Sequence, residues 1–110
     1  MSNIDILKVV DELREEVEGI AQSSDKWWNK LGSIADIVTK KIEFLTEGWK
    51  GEDKKVIAMQ VINDIWFKYF DIKFVPNIFE KKLVDYVASK CIDAAVARFN
   101  KIGIFRRSNV

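Results

Sequence analysis

Apolar residues recur along this chain at intervals of three and four, the period of helices that each bury one face. Ile6, Val10, Leu13, Val17 and Ile20 form the first such seam, widened by Leu7 and Val9. They predict one helix from about Ile4 to Ala21, with Ser2 as its cap and Asp5 in the favourable acidic first turn. Trp28, Leu31, Ala35, Val38, Ile42, Leu45 and Trp49 form a second seam, on a helix expected from Asp25 to about Glu47 with Ser23 or Ser24 as cap. Asn29, Ser33, Asp36, Lys40, Glu43 and Glu47 repeat at the same period as its polar stripe. A further apolar row, Trp27, Ile34, Ile37 and Phe44, lies between the two, so the apolar arc is wider than one buried face needs. Trp27 and Trp28 are consecutive, about 100° apart on a helix. Trp28 fits the seam and Trp27 falls on the flank.

The third helix is expected from near Glu52 to near Phe70, with Ile57, Ala58, Val61, Ile62, Ile65, Trp66 and Tyr69 on one broad face and Phe67 on the other. Gly48 and Gly51 bracket the turn before it, and Glu52 and Asp53 suit its start. The stretch Asp71 to Pro76 reads as a loop, with a short extended segment at 72–75. The fourth helix runs from Asn77 to about Lys101. Asn77 is its N-cap and Glu80 stands in the capping-box position. Val84, Ala88, Ile92, Ala95, Phe99 and Ile102 form its face, flanked by Leu83, Val87 and Cys91, and Gly103 with Ile104 suits a Schellman ending. The expected architecture is all-α: a four-helix up-and-down bundle over residues 1–103, self-associating, with a short basic tail at 104–110. Gly32, inside the second helix, costs that helix about 1 kcal/mol relative to alanine.

Length and composition agree with this picture. A chain of 110 residues builds one core, and five glycines and one proline leave few breaks. The net charge of +1 argues against bulk capture of nucleic acid. The charge is uneven, however. Residues 1–24 hold two Lys/Arg against six Asp/Glu, and residues 78–110 hold seven against three. An acidic first helix beside a basic last helix in one bundle accounts for this, and so does head-to-tail pairing between copies.

Much chemistry is missing from the residue list. There is no histidine, which removes the commonest general base, His metal sites and the Glu-x-x-His pairs of di-iron bundles. Cys91 is the one cysteine; it excludes an internal disulfide and reads as a buried structural thiol. No Gly-rich phosphate loop is present. The acid pairs Asp11/Glu15 and Glu12/Glu16 read as a solvated face rather than a cation site. No catalytic residue, metal ligand or cofactor site is expected, and the chain is expected not to be an enzyme or to take a small-molecule substrate.

What remains is surface. Trp27, Ile34, Ile37, Phe44, Trp49 and Phe67 are the candidate partner-facing residues, because large aromatics dominate interface hot spots. The expected partner is another protein or a second copy. An alternative places nucleic acid on Arg98, Lys101, Arg106 and Arg107. Another lays the second helix on a membrane surface through Trp27, Trp28 and Phe44 with Lys26, Lys30, Lys40 and Lys41, against which the acids Asp36, Glu43 and Glu47 count. No run approaches the ~20 apolar residues of a membrane span. Met1–Val10 lacks a secretion signal, so a cytoplasmic location is expected.

The C-terminal half carries a layout rather than a chemical motif: a helix around Val61–Ile65, a loop ending in Pro76, then a helix from Asn77 through Ile92–Val96 to the turn Asn100-Lys101-Ile102-Gly103-Ile104-Phe105. In this it resembles small helical proteins encoded by phages and prophages, over roughly 45 residues. The resemblance implies a viral accessory or virion component, with the virion as the corresponding location.

Overall fold

A computed structural model describes residues 5–70 and 75–101, with the side chains of Asn77, Phe99, Asn100 and Lys101 outside the description. The described chain is all-α. Five helices follow one another: α1 (Ile6–Glu12), α2 (Arg14–Gln22), α3 (Trp27–Leu45), α4 (Gly51–Tyr69) and α5 (Asn77–Lys101). The expected first helix is therefore two elements. At Leu13 the backbone takes φ −93° and ψ 1°, the tight bridge conformation. Its N–H is shared between the carbonyls of Val9 and Val10 at 3.1 and 3.2 Å, while Val17 N–H returns to the Leu13 carbonyl at 2.9 Å. The chain so changes direction without losing its hydrogen bonds. The break falls where the segment passes from lying mainly on α4, under α1, to lying on α3 and α4 together, under α2.

The helix ends differ from expectation in instructive ways. Asp5 caps α1, accepting from Lys8 N–H at 3.2 Å; Ser2 lies outside the described residues. Ser23 closes α2 rather than opening α3: its hydroxyl donates to the Ile20 carbonyl at 2.8 Å, and α3 begins two residues later than expected with no side-chain cap. Thr46 is buried at the other end of α3, where its N–H and its hydroxyl both donate to the Ile42 carbonyl, at 2.9 and 2.6 Å. Gly48 has φ +90°, a left-handed conformation open to glycine and costly for a side chain. Gly51 is already the first residue of α4. The expected extended segment at 72–75 falls mostly outside the described residues, as do Ile102 and the Gly103–Ile104 ending.

Paired side chains set the direction of each helix. Lys41 meets Glu12 at 3.2 Å and Lys30 Nζ donates to the Ala21 carbonyl at 3.0 Å, so α3 runs antiparallel to α1 and α2. Lys54 reaches both Glu43 carboxylate oxygens at 2.8 and 3.0 Å, an almost buried clamp across the α3–α4 turn. Lys55 meets Asp93 at 2.9 Å and Asn63 donates to Asp85 at 2.8 Å, which runs α5 antiparallel to α4. Up, down, up, down is the resulting order. The arrangement is nonetheless not a square. α3 and α4 pack on each other, α1–α2 lies against one side of that pair, and α5 lies against the other; among the described residues α1–α2 makes no contact with α5. The acidic first segment and the basic last helix are thus not neighbours within the fold, contrary to the simpler reading of the charge pattern.

This placement explains the wide apolar arc of the second expected helix. α3 touches α2, α4 and α5, so it buries more than one row. Leu31, Ala35, Val38 and Ile42 of the seam are buried, and so is Ile34 of the flank. The seam on α1–α2 is as expected, with Val10, Leu13 and Val17 buried and Val9 joining them. Ala58, Val61, Ile62, Ile65 and Trp66 fill α4's share of the core, and Val84, Ala88, Ile92 and Ala95 fill α5's.

Two predictions follow from this packing. Ile34→Ala leaves a cavity in a fully buried site and is expected to cost about 2–5 kcal/mol, whereas Phe44→Ala, at a residue 79% exposed, stays within about 0.5 kcal/mol; urea denaturation of both variants, followed by circular dichroism, checks the contrast. A Cβ added at Gly32 would meet only the Cys91 sulfur, at an ordinary 3.9 Å. Gly32→Ala is therefore expected to stabilise the fold by up to about 1 kcal/mol, seen as a higher urea midpoint with unchanged slope.

Candidate protein-binding surface

Trp66 organises one end of the bundle. Its side chain is fully buried near the end of α4, and its indole N–H donates to Glu80 Oε2 at 2.8 Å. Glu80 is itself buried in the first turn of α5. The Phe79 and Glu80 N–H groups find the Pro76 carbonyl at 3.0 and 2.9 Å, and one carboxylate oxygen of Glu80 turns inward to the indole. On α3, Trp27 meets Trp66 edge to face at 6.4 Å, and Phe70 stacks on Trp66 at 4.6 Å with an interplanar angle of 8°. Three helix termini converge on this one ring.

Around that buried hub the surface is apolar. Trp28 is 47% exposed, Phe67 is 45% exposed, and Ile78 and Phe79 stand out further still. Lys26 sits over the Trp28 ring at 5.2 Å, which covers a polarisable face with a cation. From Phe79 the exposed surface continues down α5. Lys82, Tyr86 and Lys90 follow at helical spacing, all exposed, with Lys90 over the Tyr86 ring at 5.7 Å. Over residues 78–90 this outward stripe holds no acid. Asp85 lies to the side, between Asn63 and Lys81, and Asp93 is held by Lys55.

The candidate residues fall into distinct groups. Ile34 is core and offers nothing to a partner; Ile37 and Trp27 are partly buried and pack on the same core. Trp27 and Trp28 have the reverse of their expected places: Trp27 turns in to Trp66 and Trp28 turns out. Trp49 is half-buried in the α3–α4 turn. Phe67 is exposed at the aromatic end, and Phe44 is exposed at the opposite end with Leu7, Leu45 and Val56. Leu45, expected in the seam, lies past the last buried turn of α3. Ile78, Phe79 and Tyr86 were not among the candidates. The signal for them is present in the sequence, since all three lie off the Val84–Ala88–Ile92–Ala95 face, but they are outnumbered there by charged residues and pass for ordinary helix surface.

The basic candidates are less available than their charges suggest. Arg98 is ion-paired with Asp36 across the α3–α5 groove, and Lys101's side chain, Arg106 and Arg107 lie outside the described residues. On α3, Lys30 and Lys41 are already engaged with α2 and α1, and Trp27 is turned inward, so the surface-lying membrane helix loses several of its proposed contacts. No helix among the described residues is long and apolar enough to cross a membrane.

Cys91 lies in the same α3–α5 groove, half-buried rather than fully enclosed. Its pKa is raised from the ordinary 9.0, first by burial and then by the Asp36 carboxylate, with Arg98 opposing. The thiolate is the reactive form, so iodoacetamide is expected to alkylate folded Cys91 more slowly than free cysteine at pH 8. Removing the negative charge with Asp36→Asn lowers the pKa and speeds the reaction; Arg98→Gln raises the pKa and slows it. Mass-spectrometric rates across pH 7–10 check both signs.

Comparisons of the chain with protein-family models, with curated proteins and with solved structures return no match.

Proposed function

We propose that this chain is a non-enzymatic helical protein that binds other protein molecules, its own copies among them, through the aromatic end of the bundle and the outward face of α5. One observation carries the reading: Phe67, Ile78, Phe79 and Tyr86 are all between 45 and 69% exposed on the last turn of α4 and the outer stripe of α5, while the core beneath is complete without them. Isolated exposed apolar residues are ordinary, but several large ones along one helix face mark an interaction surface. Aromatic side chains with an adjacent cation are the residue types that concentrate binding energy. The layout shared with small phage and prophage proteins adds a context, that of an accessory or virion component working by assembly rather than by catalysis.

Light scattering and sedimentation over a wide concentration range test the reading. The wild type is expected to gain mass with concentration. Ile78→Asp with Phe79→Asp is expected to weaken that association by roughly 30-fold or more, the loss typical of an interface hot spot, with the helical circular dichroism unchanged because neither side chain is part of the core. A wild type that stays at monomer mass at the highest concentrations sinks self-association. Equal association by the double variant removes this surface from the account.

A further inference from the structure

The α1–α2 side of the molecule carries a stripe that complements the outer face of α5. Leu7, Asp11, Glu15, Glu18 and Gln22 follow one another at spacings of four, four, three and four, and all are exposed. Leu7 supplies an apolar group, 75% exposed. Asp11 is loosely met by Arg14 at 3.8 Å, while Glu15 and Glu18 have no ion pair among the described residues. On α5 the corresponding stripe is Phe79, Lys82, Tyr86 and Lys90, aromatic and basic. At 1.5 Å per residue the acidic stripe is roughly 22 Å long and the basic one roughly 16 Å. The acid stripe cannot reach the basic one within one molecule, because α1–α2 and α5 lie on opposite sides of the α3–α4 pair.

Resting on the protein-binding reading above, we infer that the occupant of the α5 outer face is the α1–α2 face of a second copy of this chain. The contact is heterologous: one copy's acidic stripe meets the next copy's basic-aromatic stripe. Two different patches on opposite sides do not close a two-fold dimer. They propagate, into a ring where the rotation closes and into a filament where it does not. The basic groups of the α5 stripe face the acids of the α1–α2 stripe, and association falls with added salt as the exposed charges are screened.

Two variants, each with one face removed, test the geometry. Lys82→Ser, Tyr86→Ser and Lys90→Ser together neutralise the α5 stripe and leave the acidic face intact. Glu15→Lys with Glu18→Lys removes the acidic face and leaves α5 intact. All five positions are exposed, and circular dichroism confirms the fold; Tyr86→Ser alone and Glu15→Gln alone are the milder forms should either combination fail to fold. In light scattering at low salt the wild type is expected to grow past a dimer, and to shrink in high salt. Each variant alone is expected to stay at monomer mass. Their equimolar mixture is expected to form one heterodimer and stop, since only one competent pair of faces remains. A mixture that stays monomeric overturns the inference, and so does a wild type that halts at a closed dimer. If that dimer is lost on Ile78→Asp with Phe79→Asp, the broader protein-binding reading stands without this one. A wild type that is monomeric throughout yet binds vesicles of anionic lipid through Lys82 and Lys90 overturns the inference and the self-association with it.

Discussion

The hydrogen bond from the Trp66 indole to Glu80 decides how the last helix presents itself. A buried carboxylate is costly unless its oxygens are met, so once Glu80 lies under the bundle its partner must be there too. Trp66 provides it from α4 while packing on Trp27 of α3 and Phe70. The rotation of α5 about its own axis is then set at its first turn. With Glu80 inward, Phe79 lies about 100° away and Ile78 about 200° away, and neither can enter the same core. Every later turn inherits that phase: Val84, Ala88 and Ile92 go in, and Lys82, Tyr86 and Lys90 go out. The exposed stripe is therefore a consequence of the buried bond, and a helix start with Glu80 in solvent would place a different set of residues on the surface.

Helix existence was legible in the pattern because apolar positions recur at spacings of three and four along the chain, and Val10, Leu13, Val17, Leu31, Val38, Ile42, Val61, Ile65, Val84 and Ala88 are buried as that spacing requires. Periodicity says which residues share a face; it does not say how many neighbours that face has. The flank of α3 is surplus only to a helix that buries a single face. With three neighbours, Ile34 is core and Trp27 is drawn to Trp66. The Trp27–Trp28 order was undecidable from spacing alone, since both rows were apolar and only the buried ring of Trp66 favours one of them. Glu80 fits the capping-box position so well by spacing that its use in the core is invisible without α4 beside it. The bend at Leu13 has no glycine or proline to announce it, and the hydrogen bonds it keeps leave the apolar seam continuous through it.

The exposed apolar surface was the least legible part, for a related reason. A sequence ranks residues by hydrophobicity, which selects Ile34 and Trp27, whereas exposure depends on which side of each helix the rest of the fold occupies. Phe44 and Phe67 are exposed because they lie beyond or off the packed rows, and Phe79 and Tyr86 because Glu80 sets the phase of α5. None of these follows from composition.

The charge asymmetry acquires its meaning from the same geometry. Opposite charges at the two ends of a chain are most simply satisfied inside one bundle, with the first and last helices side by side. Here the α3–α4 pair stands between them. The basic groups of α5 that do find acids find them on α3, as Arg98 does with Asp36, or within α5, as Lys81 does with Asp85, while α4 supplies Lys55 to Asp93 of α5. Lys41 of α3 is the cation that serves α1, through Glu12. What is left over is unbalanced on both outer faces, acidic on α2 and basic on the outer stripe of α5. A bundle whose middle layer neutralises its own neighbours in this way leaves each outer face with a charge that nothing in the same molecule can reach. Complementary faces so separated are satisfied only by solvent ions or by another molecule, and the exposed Leu7, Phe79 and Tyr86 beside them give a protein surface the advantage over salt.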